Sequence, residues 1–117
     1  MQFLFLVCTD DTAPAYRAEE DNIEEWVDEV IRRGMSLAGD RLRPPADATT
    51  VRVRDGAVSV TDGPFVETKD YIGGFDLLEC ADLDDAIDIA SRHPMARFGQ
   101  IEIRPIWSLG LGTESTE

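Results

Sequence analysis

Residues 61–75, TDGPFVETKDYIGGF, interrupt any helix in the middle of this chain and hold its densest run of turn formers, charges and aromatics. Asp62-Gly63 is a turn dipeptide, because Asp bonds its own backbone further along and Gly accepts positive φ without penalty. Pro64 fixes its own φ and biases Gly63 away from the α region. Phe65 then needs an apolar seat. Glu67, Lys69 and Asp70 place both charge signs within four residues. Gly73-Gly74 permits a bulge or a close backbone approach just before the strand expected over 75–80. Two readings stay open. In one this is a structural turn whose Phe65 plugs the core edge. In the other it is a loop lining a cleft, since binding residues concentrate on loops held by a rigid scaffold.

The rest of the chain alternates strand and helix patterns. Residues 2–8 are nearly continuous in Phe, Leu and Val, which predicts a strand covered on both faces. Residues 9–15 connect it to a helix expected over 15–33, with Asp10, Asp11 or Thr12 as caps and Pro14 in the first turn. Ile23, Trp26, Val27, Val30 and Ile31 fall on one helical stripe, acids precede Arg32 and Arg33, and Gly34 closes it. A strand is expected over 35–42, ending at Pro44-Pro45. TTVRVR at 49–54 alternates strictly, with Val51 and Val53 facing one way and Arg52 and Arg54 the other. Asp55-Gly56 then turns the chain back through 57–60 as a hairpin at the sheet edge. After the strand over 75–80, Asp82 and Asp85 form a capping-box-like start. The second helix buries Leu83, Ala86, Ile87 and Ala90 and stops at Pro94. GQIEIRPI at 99–106 is the last strand, with Ile101 and Ile103 inward.

Without the hairpin the order is β-α-β-β-α-β. Right-handed crossovers make this an α+β ferredoxin-like plait, an antiparallel sheet with two helices on one face, here with an inserted β-hairpin. The domain is expected over 1–107, with a loose tail at 108–117. The opposite sheet face needs cover, and Phe3, Phe5, Phe75 and Trp107 are available for it. A second copy, sheet against sheet, is the simplest cover, which predicts a homodimer and a dimeric α+β barrel.

Charge and motifs narrow the function. The net charge of −13 argues against nucleic acid and anionic membranes as partners. The opening run, MQFLFLVCTDD, is too short for a transmembrane helix and wrongly flanked for a secretory signal, so a cytoplasmic protein is expected. Cys8 and Cys80 suit a reducing compartment as small buried hydrophobes. With one histidine and no CxxC, HxxxH or HExxH, no metal site is expected. Neither GxGxxG, Walker nor nucleophile-elbow patterns occur, and no organic cofactor is expected.

The run DGPFVETKDYIGGF at 62–75, TTVRVRDG before it and RHPMARFGQIEIRPI after it closely resemble the YCII-related proteins known by the DGPF or DGPFAETKE motif. The resemblance covers nearly the whole chain. It implies a ferredoxin-like plait, commonly dimeric, and an association with extracytoplasmic-function sigma factors. A wider YCII group has been suggested to work through a His–Asp pair with the histidine on the first helix. This sequence departs there, with Ile23 near the expected place, so that pair is not carried over.

Candidate residues follow from their chemistry. His93 can act as a general base near neutral pH, or simply sit at a helix C-terminus, where a cation is favoured. Asp40 and Asp62 are cleft carboxylates or turn-making acids at strand ends. Lys69 is a base if buried, or a surface partner of Glu67 and Asp70. Arg52, Arg54 and Arg104 can pair with a ligand carboxylate or phosphate. Arg104 can instead form a ladder with Glu102. Phe65 and Tyr71 are contacts for a ligand or for the core. Two functions are carried forward. One is a dimeric module that binds a small molecule or a sigma factor. The other is a small cofactor-independent acid–base enzyme using His93, Asp62 and Lys69.

Overall fold

The computed structural model describes residues 1–109. Strand β1 (Gln2–Cys8) runs through the middle of a four-stranded sheet, flanked by β5 (Ile72–Glu79) and β6 (Gln100–Pro105), with β2 (Ser36–Arg41) outside β5. Every pairing is antiparallel. The order β2-β5-β1-β6 is compatible with the expected plait. Strands β3 (Thr49–Arg54) and β4 (Ala57–Asp62) form a separate two-stranded sheet. Its turn has positive φ at Asp55 and Gly56, as a type I′ hairpin requires. The helices are α1 (Ile23–Arg32), α2 (Leu83–Ser91) and the short α3 (Met95–Phe98). Of the tail expected at 108–117, residues 110–117 lie outside the described residues.

The core lies between the sheet and the helices. Phe3, Phe5 and Leu78 from the strands meet Trp26 and Val30 of α1 and Ala86 and Ile89 of α2. This corrects the expected use of Phe3 and Phe5. They are wholly buried on the helix side, and strand alternation turns Leu4 and Leu6, both half-buried, to the other face. Leu77 and Phe75 lie opposite them in register. Trp107 stands 90% exposed.

Helix α1 is much shorter than the periodicity suggested. Residues 9–22 hold only a 3-10 turn at Ala18–Glu20, because no apolar stripe anchors them to the core. Asp10 closes its own turn by accepting from the Thr12 amide instead of capping a helix. The buried stripe of α1 is Trp26 and Val30 with Ile23 beside them, while Val27 and Ile31 are exposed. At its C-terminus the Gly34 and Met35 amides bond the Ile31 and Val30 carbonyls. With φ of 69° at Gly34, this is a Schellman close. In α2, Asp82 Oδ1 accepts from the Asp85 amide at 2.8 Å, the expected cap. The buried stripe there is Ala86, Ile89 and Ala90, with Leu83 and Ile87 about half exposed. Trp26 Nε1–H donates to the Ile89 carbonyl at 2.8 Å, and Arg92 bridges Glu29 and Asp88, so the two helices are sewn along one seam.

Gly99 joins α3 to β6. A Cβ there would lie 2.3 Å from the Cys8 carbonyl oxygen and 3.3 Å from the Met95 carbonyl oxygen, both backbone. Replacing Gly99 by Ala is expected to cost about 1–3 kcal/mol, the usual penalty of forcing a methyl into a packed site. A urea melt that leaves the midpoint unchanged would refute that.

Candidate functional site

A cavity of about 810 Å³ opens between the sheet and α1, closed at one end by the segment after α2. Val7, Ile23, Val27 and Met95 give it an apolar lining, and Asp76, His93 and Arg41 give it polar groups.

Asp76 sits in the interior of β5, paired with Phe5 of β1 on one side and Gly39 of β2 on the other. Its neighbours on the same face are Gly74 and Leu78, both buried. The acid therefore points to the helix side of the sheet, and it fits there because β2 offers a glycine. A Cβ on Gly39 would stand 2.2 Å from Asp76 Oδ1. Among the described residues the carboxylate has no ion pair and accepts no hydrogen bond. Burial alone pushes its pKa up from the usual carboxylate range to about 6.

His93 is 4% exposed. Its Nδ1 accepts from the Met95 amide at 3.0 Å, which places the proton of the neutral ring on Nε2. The edge of the ring packs against Trp26 with centroids 4.6 Å apart. Burial pushes its pKa down to about 4, against a weaker upward pull from Asp21, so the ring is neutral at pH 7. Asp21 itself is held in place, accepting from the Tyr16 hydroxyl at 2.6 Å and the Ile23 amide at 3.0 Å.

The expected residues are thus divided. His93 and Asp40 line the cavity, Asp40 accepting from the Arg41 amide at 2.9 Å. Asp62 and Lys69 do not join them. Asp62 ends β4 on the hairpin, exposed. Lys69 Nζ pairs with Asp11 at 2.5 Å and ties the central loop to the exit of β1. Tyr71 does the same through its backbone, its amide bonding Thr9 Oγ1 and its carbonyl the Thr9 amide, both at 2.9 Å. Phe65 does not plug the core edge. It is 78% exposed, because the Asp-Gly-Pro corner is fastened to the hairpin base by the Gly63 amide on Ala48 and Thr50 Oγ1 on the Gly63 carbonyl. Arg104 pairs with Glu102 at 3.1 Å, the ladder expected of them. Arg52 and Arg54 lie on β3, away from the cavity lining.

The sequence did not single out Asp76. Its signal was an acid between Phe75 and Leu77 in an otherwise apolar strand, on the face shared by Gly74 and Leu78. Ile23, near where the resemblance expects a histidine, lines the cavity, and the imidazole enters from beyond α2 instead.

Cys8 and Cys80 are free thiols, and burial pushes both up, Cys80 to about 11, so neither is a ready nucleophile. Asp10, Asp11 and Asp70 bring carboxylate oxygens within 4.8 Å of one another. Lys69 neutralises Asp11, and Asp70 accepts from the Asp11 amide, so the cluster is accounted for as a loop clasp. No helix among the described residues is long and apolar enough to cross a membrane.

An uncharacterized protein, R00369, of Rhizobium meliloti (strain 1021) is 44% identical over 68 residues, 56% of this chain. The match spans 55% of that relative's own length. The YCII-related domain matches residues 1–109, nearly the whole chain. This protein belongs to the YCII-related domain family.

Proposed function

We propose that the cavity is the site of a cofactor-independent acid–base enzyme acting on a small molecule, with Asp76 as the proton carrier. The observation that carries this is an unpaired carboxyl in the interior of a strand, with a pKa near 6. A group titrating there is a competent base at neutral pH and a competent acid once charged with a proton. A carboxylate kept unpaired at a cost to the fold is more often functional than structural. His93 takes a different role from the one its sequence position suggested. Its Nδ1 lone pair is occupied by the Met95 amide, so it is a neutral donor through Nε2–H, suited to a ligand carbonyl or hydroxyl. The Arg41 guanidinium, which pairs with no carboxylate among the described residues, supplies charge for an anionic end of the ligand.

The homodimer belongs to this proposal. Leu4, Leu6, Leu77 and Phe75 are apolar and only half-buried on the sheet face away from the helices, which supports closure against a second copy as an α+β barrel.

That the cavity holds one carboxyl of matched pKa and no activated nucleophile favours a second reading, a ligand-binding module without turnover. In it the partner would be the sigma factor that the resemblance implies, tested by pull-down with and without metabolite extract.

Replacing Asp76 by Asn separates the two. For an enzyme it abolishes turnover of any compound that raises the melting temperature of the wild-type chain, while leaving binding. For a module, binding alone is altered. In both cases the variant is expected to be more stable at pH 7.5 by about 1–2 kcal/mol, the cost of the shifted carboxyl discounted for its partial exposure. A carboxyl carbon titration showing Asp76 near 4 would remove the basis of the proposal.

A further inference from the structure

We propose that the β3–β4 hairpin is an arm that lies on a second copy of this chain, its valine face extending the cover that the partner's sheet gives to the sheet face the helices leave bare. This rests on the homodimer proposed above and adds the element that secures it. Register places Val51 opposite Val60 and Val53 opposite Val58, so all four side chains share one face. They are 56–68% exposed, and no residue of either strand is buried. A two-stranded hairpin with nothing packed on it is marginal in water, so a valine face of this kind requires cover.

The second copy is the occupant that fits. Its bare face carries the half-buried patch of Leu4, Leu6, Leu77 and Phe75. A six-residue strand spans roughly 20 Å, about the reach of the seven-residue β1 that crosses that patch. A net charge of −13 makes nucleic acid a poor alternative. In a two-fold arrangement each copy gives one arm and receives one, so no arm is left over.

Hydrogen exchange on the full chain, at concentrations above and below dimer dissociation as set by sedimentation velocity, tests this. Amides of residues 49–62 are expected to be protected in the dimer and to lose protection on dilution, while those of β1 and β5 stay protected. A dimer whose arm exchanges freely would overturn the arm assignment and leave the dimer standing. A chain that is monomeric throughout would overturn both. The variant V51T/V53T/V58T/V60T keeps β-branching and is expected to weaken dimerisation roughly tenfold or more, as when apolar anchors leave an interface core. Unchanged association in that variant would refute the arm.

Discussion

Replacing Trp26 by alanine is expected to cost about 4–5 kcal/mol, most of the stability of a domain whose total is on the order of 5–15 kcal/mol. Trp26 is 2% exposed and is among the largest wholly buried side chains. It packs between the sheet and α2, and its indole N–H closes the α1–α2 seam on the Ile89 carbonyl. Deleting it removes the apolar area, leaves a void and orphans that carbonyl. Phenylalanine is the control. It restores most of the volume but not the donor, so it should recover about half the loss. Guanidinium unfolding followed by far-UV circular dichroism measures both. A Trp26→Ala variant within 1 kcal/mol of wild type would mean that the helices do not depend on this contact.

The second large effect is on pH dependence, and it is masked in the wild type. His93 has a native pKa near 4 against 6.5 when exposed. Between those values the unfolded chain binds a proton that the native chain refuses, so this residue makes stability fall as pH drops from about 6.5 to about 4, by about 3 kcal/mol. Asp76 has a native pKa near 6 against an ordinary 3.8. Between those values the native chain holds a proton that the unfolded chain releases, so this residue makes stability fall as pH rises from about 4 to about 6. The windows overlap and the slopes oppose. Wild type should therefore show a shallow dependence between pH 4 and 6.5 from this pair. His93→Gln should leave stability declining with rising pH, and Asp76→Asn should leave it climbing. Parallel profiles for all three chains in denaturant melts would show that neither group is shifted.

Much of the fold was legible because its signals are local. The strand over 2–8, the I′ turn at Asp55-Gly56, the Asp82 cap and the Gly34 close each follow from a few adjacent residues. The first helix starts later than its composition favours, because Ala18, Glu19 and Glu20 are good helix formers, yet nothing between Pro14 and Ile23 reaches the core. Phe3 and Phe5 face the helices for a reason that local signals do not carry. A strand with Phe and Leu at alternate positions looks apolar on both faces, and periodicity does not say which face receives the helices. The site was half legible. His93 stood out by chemistry, but its working nitrogen is decided by the Met95 amide, a local turn that no spacing announces. Asp76 depends on Gly39 across a strand pair, a long-range match invisible along the chain. The central loop drew attention by composition, and most of what it holds fastens the loop itself.

The Trp26–His93 contact gives the cavity two unequal jaws. On one side the imidazole is wedged between an indole and a backbone amide, so that jaw cannot yield to a guest without loosening the helix seam. On the other side stands β2, an edge strand exposed along its whole length. Compliance, and with it tolerance for guests of different girth, must come from the β2 jaw. Selection for new guests would therefore find its freedom around Gly39 to Arg41 and almost none beside the histidine.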